Sequence, residues 1–294
     1  MKTAELFEHK TVFSLEVFPP KPDTDESVIY DTLDELSDIS PDFISVTYGA
    51  GGGHNGCKTI QIASDIKERY GVESVAHLPC IDLTKEQAAE ILDSLQAHGI
   101  ENVLALCGDR REDTAAEGDF RHASDLITFI KERYDFNVLA ACYPEIHPES
   151  TSAVDDLKWL RHKVDCGADH LITQLFLDNK YFLDFHEKAR IAGIDIPIEA
   201  GIMPVTNKRQ IERMVKLCGV HLPKKFVRVL ERYEHNDTAL RDAGIAYAID
   251  QITELIAEGV DGIHLYTMNY PCVAKKIFAA VESLISVNSC TAAL

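Results

Sequence analysis

Short apolar runs alternate with amphipathic helical stretches along nearly the whole chain, and that alternation restricts the fold more than any other feature. The runs lie near residues 13–18, 43–48, 74–79, 102–107, 137–143, 170–176, 197–203 and 262–268. Several are apolar without a break, such as Val103-Leu104-Ala105-Leu106 and Val138-Leu139-Ala140-Ala141. That is the pattern of parallel strands covered on both faces. Thr84-Lys85-Glu86-Gln87 reads as a capping box opening a helix whose Ala88, Ile91, Leu92 and Leu95 share one face. Ile245, Ile249, Ile252 and Ile256 make a second stripe of this kind. Both stripes are core faces. The stretch from 206 to 261 is long for one crossover and is expected to hold helices near 206–218 and 238–258, with a short one over 223–234. Eight strand–helix repeats in 294 residues predict one α/β domain over 1–294, a (β/α)8 TIM barrel. A doubly wound open sheet is the alternative.

Charge narrows the partners. The chain carries 29 Lys and Arg against 48 Asp and Glu, a net charge of -19. Such a chain is poorly suited to nucleic acid or an anionic membrane. An anionic ligand would need a local cationic pocket. The N-terminal Met1-Lys2-Thr3-Ala4-Glu5 lacks the apolar core of a signal peptide, and no apolar run is long enough to span a bilayer. The eight cysteines are scattered with no CxxC pair, which suits reduced thiols in the cytoplasm rather than a disulfide frame or zinc site.

In a barrel of this type, chemistry gathers at the carboxyl ends of the strands. Phe13-Ser14-Leu15-Glu16-Val17-Phe18-Pro19-Pro20 places one carboxylate in an apolar strand that two prolines terminate. A carboxyl there is costly to keep ionised, which suits a general acid working near neutral pH. It serves equally as an ion-pair partner at a strand end. Other polar residues expected at the same face are Thr47 with Tyr48, His77, Asp109, Tyr143, Gln174 and Tyr266. Their recurrence points to a site for a long polar substrate or cofactor.

Other motifs are weaker. Gly51-Gly52-Gly53-His54-Asn55-Gly56 matches GxGxxG, but it follows the second strand and lacks the acidic residue of a dinucleotide fold, so it reads as a glycine-rich loop near a ligand. There is no HExxH and no GxSxG, so neither a hydrolytic metal site nor a nucleophile elbow is supported. In Tyr143-Pro144-Glu145-Ile146-His147-Pro148-Glu149, a proline-bracketed loop placing polar groups on a ligand is favoured over metal ligation. Lys163, late in an expected helix, belongs to a solvated face or contacts a phosphate or carboxylate.

Together these residues resemble the methylenetetrahydrofolate reductase family in its bacterial single-domain form. The matching pieces are Leu15-Glu16-Val17-Phe18-Pro19-Pro20, Ser45-Val46-Thr47-Tyr48-Gly49-Ala50, His77-Leu78-Pro79-Cys80-Ile81-Asp82, Gly108-Asp109 and Ala123-Ser124-Asp125-Leu126. They continue in order with the Tyr143–Glu149 loop, Lys163-Val164-Asp165-Cys166-Gly167-Ala168, Ile172-Thr173-Gln174, Gly201-Ile202-Met203-Pro204-Val205 and Tyr266-Thr267-Met268-Asn269. The C-terminal regulatory domain of eukaryotic relatives has no counterpart among them.

The resemblance implies a barrel that carries FAD without a Rossmann domain. NAD(P)H reduces the flavin and leaves, and 5,10-methylenetetrahydrofolate then takes its place to become 5-methyltetrahydrofolate. It further implies a homo-oligomer. By position, Glu16 matches the general acid, and Asp109 the carboxylate near flavin and pterin. Gln174 and Gln210 match folate contacts. Thr47, His77, Gly108, Tyr143, His147, Asp156 and Lys163 match flavin contacts, and Tyr266 the surroundings of both ligands. Some positions depart from the family. Cys107 and His162 stand where arginine is common, Trp159 where a polar residue is common, Met214 replaces a ligand-stacking aromatic, and Tyr270 replaces a basic residue near the substrate. These departures leave NADH, NADPH and a partner protein open as electron donors. A non-catalytic folate- or flavin-binding barrel is a third reading.

Overall fold

Each of the eight apolar runs forms a strand: β1 (Val12–Val17), β2 (Phe43–Val46), β3 (Glu73–Pro79), β4 (Asn102–Leu106), β5 (Asn137–Cys142), β6 (His170–Thr173), β7 (Ile198–Ile202) and β8 (Gly262–Tyr266). In this computed structural model, which describes residues 1–21, 24–48, 55–108 and 118–291, they pair in parallel in chain order. β8 returns to β1, so the sheet is a closed barrel and the open-sheet alternative falls away. Around it run α1 (Ser27–Leu36), α2 (Asn55–Tyr70), α3 (Lys85–Ala97), α4 (Ala123–Arg133), α5 (Ala153–Asp165) and α6 (Asn179–Ile191). The long crossover after β7 holds three helices, as expected: α7 (Lys208–Cys218), α8 (Lys224–Tyr233) and α9 (Asp237–Ala257). α10 (Pro271–Thr291) follows β8. No helix among the described residues is long and apolar enough to cross a membrane.

The predicted helix chemistry is present. Gln87 N donates to Thr84 Oγ1 at 3.2 Å, and Thr84 N donates to Gln87 Oε1 at 2.9 Å, which completes the capping box of α3. Ala88, Leu92 and Leu95 are buried beneath it. Strand side chains alternate as the pleat requires. Phe13, Leu15 and Val17 of β1 join the large core between barrel and helices. Val12 of β1, Phe43, Val75, Leu104, Leu139 and Ile172 form a separate apolar layer that Leu6 and Phe7 pack against. Those two residues lie on a 3₁₀ turn over Thr3–Glu8. Thr3 N donates to Asn102 Oδ1 at 2.9 Å, and Asn137 Nδ2 donates to Thr3 Oγ1 at 2.9 Å, so this turn is bolted across the amino-terminal end of the barrel.

Most strands stop one to three residues before the expected ends, and at β8 a side chain takes over the pairing. β8 ends at Tyr266 rather than 268, and Met268 and Asn269 adopt positive φ. The Asn269 amide then replaces a strand partner: Phe18 N donates to Asn269 Oδ1 at 2.9 Å, and Asn269 Nδ2 donates to Phe18 O at 2.8 Å.

One charged residue ties three elements together at the opposite end. Asp261 Oδ2 accepts from Ile198 N at 2.8 Å and from Arg190 Nη2 at 3.1 Å, and its backbone O accepts from Val12 N at 3.1 Å. Burial opposes ionisation, but His186, the Ile198 amide and Arg190 outweigh it and hold the carboxyl below its ordinary value. A lowered folded-state pKa contributes stability above the unfolded value and loses it as pH falls through the folded one. Asp261→Asn is therefore expected to cost about 2 kcal/mol at neutral pH. The difference from wild type should shrink as pH drops below about 4. Urea unfolding of both proteins at pH 7 and pH 3 checks it, and a gap that persists unchanged at pH 3 refutes the electrostatic account.

Candidate active site

Glu16 sits one residue from the end of β1, pointing inward, with only 7% of its surface exposed. It pairs in register with Ser45 of β2 and Tyr266 of β8. His77 of β3 and His264 of β8 each turn Nε2 toward Glu16 Oε2, at 3.6 and 3.7 Å. These separations exceed hydrogen-bonding distance, so the imidazoles act through their field. Burial pushes His77 down to about 4, so it is uncharged at neutral pH. Among the described residues Glu16 has no Lys or Arg ion-pair partner. A carboxyl flanked by imidazoles and shielded from water is suited to hold and release a proton.

Below Glu16 the barrel interior continues polar, a feature that reading strand ends alone misses. Ser14 Oγ lies 2.8 Å from Glu199 Oε1 and 2.7 Å from His264 Nδ1. Glu199, on β7, is fully buried, and burial raises it well above the ordinary carboxyl value. His170 of β6 turns Nε2 to Glu199 Oε2 at 3.7 Å and is pushed down to about 3 by burial. The signal was in the sequence: Ser14 and Glu16 alternate with Phe13, Leu15 and Val17, and a polar set at period two opposite an apolar set faces the barrel interior.

Tyr266 caps this stack. Its hydroxyl donates to Thr173 O at 2.6 Å, and burial raises its pKa well above the ordinary value. Gln174 follows Thr173, and its side chain folds back so that Oε1 accepts from Leu175 N at 2.9 Å. Gln210, in the first turn of α7, accepts from Thr206 N and Oγ1, both at 3.2 Å, while its Nε2 is buried with no partner among the described residues. Thr47 is half-buried directly after β2, where its amide donates to Val17 O at 3.0 Å.

A second group forms around β5 and α5. The rings of Tyr143 and His147 meet edge-on, 4.5 Å between centroids. Asp156 accepts from His147 N at 3.2 Å and from Ser150 Oγ at 2.9 Å, so it shapes the loop that carries His147. Glu149 N donates to His147 Nδ1, which leaves the ring hydrogen on Nε2. Lys163 is not on a solvated face: its ammonium turns inward and donates to Ala141 O at 2.7 Å, and burial lowers its pKa. Gly108, at φ +91°, is exposed just past β4. A Cβ there would stand 3.0 Å from Pro79 Cβ.

Asp109 and the glycines at 51–53 lie outside the described residues. Of the departures, Trp159 is 53% exposed and lies beside His122 and His162, and Tyr270 is 49% exposed. Met214 packs on the apolar cluster of α7, α8 and α9, and Cys107 Sγ contacts Arg121 O. No disulfide links the described cysteines, and no metal-ligating cluster occurs among the described residues.

Known proteins resemble this chain over most of its length. The sequence profile of the family described as methylenetetrahydrofolate reductase matches residues 2–282. The 5,10-methylenetetrahydrofolate reductase of Pectobacterium carotovorum subsp. carotovorum is 38% identical over 256 residues, 87% of this chain and 85% of that protein. Methylenetetrahydrofolate reductase (NADH) 1 of Arabidopsis thaliana is 36% identical over 275 residues, 88% of this chain and 46% of that protein. A Clostridium thermocellum protein solved as binding two copies of 5-methyl-5,6,7,8-tetrahydrofolic acid superposes with a TM-score of 0.64 at 12% identity, covering 98% of this chain and 100% of that one. At that identity the likeness concerns the fold alone.

Proposed function

Because the chain belongs to the methylenetetrahydrofolate reductase family, an enzyme family of folate reduction, we propose that its barrel mouth converts 5,10-methylenetetrahydrofolate to 5-methyltetrahydrofolate with electrons from NAD(P)H, carried by bound FAD in two successive half-reactions. The observation that carries this reading is Glu16: a buried, inward-facing carboxyl at the active end of the barrel, flanked by His77 and His264.

The residues present fit a flavin dinucleotide. His147 keeps its ring hydrogen on Nε2. Lys163 commits one ammonium hydrogen to Ala141 O and retains two for an anionic oxygen. Gly108 leaves its exposed backbone free of a side chain. Tyr143, His147, Asp156 and Lys163 would hold this group together with Thr47 and Gly108. FAD supplies the hydride acceptor and donor that no side chain can provide.

The chain's own part is proton chemistry and placement. Glu16 gives its proton to a nitrogen of the folate's five-membered ring. The ring opens to an iminium cation, a better hydride acceptor. Gln174 and Gln210 hold the pterin, where an amide can both donate and accept, and Gln210 Nε2, which has no acceptor among the described residues, is a donor available to a ligand. Asp109 adds negative charge that favours the cation. The plant relative's name specifies NADH, which favours NADH as donor here.

The test is the visible spectrum of the purified chain reconstituted with FAD, followed anaerobically. Flavin bands that bleach with NADH and return with methylenetetrahydrofolate are expected. Bands that bleach with neither nucleotide would replace NAD(P)H with a partner protein as donor, and bands that bleach but never return with folate would remove the reductase reading.

A further inference from the structure

Glu199, like its neighbours His170 and His264, is fully buried in the barrel interior, and the fold makes room for it. It pairs in register with Gly262 of β8. A Cβ at Gly262 would stand 2.9 Å from Glu199 Cγ and 3.0 Å from Val12 O, so any other residue there would displace this side chain. Among the described residues no Lys or Arg pairs with Glu199. Asp42 and Asp261 act on it only as further negative charge. It is therefore a neutral acid with one hydrogen to place.

The geometry decides where that hydrogen goes. Among the described residues Oε2 has no partner at hydrogen-bonding distance, whereas Oε1 lies 2.8 Å from Ser14 Oγ. The acid hydrogen is satisfied only on Oε1, pointing at Ser14. Ser14 has a single hydrogen. If it accepts from Glu199, it donates to His264 Nδ1, 2.7 Å away. That leaves Nδ1 bare and puts the ring hydrogen on Nε2, which faces Glu16 Oε2 at 3.7 Å. Were Glu199 unable to donate, Ser14 could accept from Nδ1 instead, and a bare Nε2 would face Glu16.

We propose that Glu199 is a positioning residue for folate protonation, one that acts through Ser14 to hold His264 in the tautomer whose Nε2–H faces Glu16. With that N–H dipole on Oε2, Oε2 becomes the oxygen that carries charge after proton transfer. Oε1, which neither imidazole faces, keeps the acid hydrogen beforehand. The dipole stabilises the carboxylate only as the proton leaves, so it favours the transition state over the ground state. His77 approaches the same oxygen from β3. No net proton passes along the chain: Glu199 keeps its hydrogen throughout.

The inference rests on Glu16 as the acid, so its test has a readout independent of turnover. In the whole chain, labelled with ¹⁵N-histidine, the His264 resonances (assigned by their loss in His264→Gln) are expected to report Nε2–H. They should report it again in Glu199→Gln, whose amide can donate to Ser14 in the same direction, and switch to Nδ1–H in Glu199→Leu. Folate-driven reoxidation of the reduced protein should fall about tenfold in Glu199→Leu, one of the two to four decades a positioned acid contributes, and Glu199→Gln should restore most of it. Should Glu199→Leu not fold, Ser14→Ala interrupts the same chain and is expected to show the same loss. An Nδ1–H signal in the wild type, or equal losses in Glu199→Gln and Glu199→Leu, would overturn the proposal. A protein that reduces no folate but shows the expected resonances would refute the functional reading and leave the tautomer assignment standing.

Discussion

Glu16→Gln is expected to slow folate reduction about a thousandfold, with flavin reduction by NADH unchanged within about twofold. The substitution is nearly isosteric, and the backbone around it is held independently: Thr267 Oγ1 donates to Glu16 O at 2.6 Å, whichever side chain is present. What disappears is the transferable proton. Without it the folate ring stays closed and presents a neutral one-carbon unit, a poor hydride acceptor. The nucleotide half-reaction needs no acid and should be spared. Stopped-flow absorbance separates the two halves, one syringe bringing NADH to the oxidised protein and the other bringing methylenetetrahydrofolate to the reduced one. Equal losses in both halves would make Glu16 a structural residue, and undiminished folate turnover would move the acid elsewhere.

Gly201→Ala should cost about 3 kcal/mol of stability. Gly201 lies on β7 beside the Tyr266 ring. A Cβ there would overlap Thr173 O and stand 2.7 Å from the Tyr266 hydroxyl and 2.8 Å from its Cε2. Backbone cannot yield, because Gly201 N is itself bonded to Thr173 Oγ1 at 2.9 Å. The ring has to leave, and its hydroxyl, buried and bonded to Thr173 O, leaves with it. A double-mutant cycle with Tyr266→Leu separates the two causes: with the ring gone, Gly201→Ala should cost less than it does alone, the remainder being the overlap with Thr173 O. Additive losses in urea unfolding would place the strain elsewhere.

The fold was legible because its signal is collective. Eight apolar runs separated by helical stripes point to a barrel, whatever the fate of one residue, and the β8–β1 pairing closes it. Strand ends were less legible; after β8 the pairing passes to the Asn269 side chain, whose reach along Phe18 no local pattern announces. Glu16 stood out by contrast with its apolar neighbours. Its supports did not: Ser14, Glu199 and His264 lie far apart in the chain, and only barrel closure brings them within hydrogen-bonding distance. Lys163 shows the opposite failure. A lysine late in a helix reads as solvated, yet its ammonium reaches inward to Ala141 O.

The bolted turn at the amino-terminal end makes the barrel a cul-de-sac. Phe7 lies 5.0 Å from the His170 ring, and Val12, Phe43, Val75 and Leu139 above it have no exposed surface. Among the described residues that end offers no way to Glu16, so a ligand, and the water that would return its proton, must come from the carboxyl face. The proposed two-stage electron transfer would then load and empty its site from one face of the barrel.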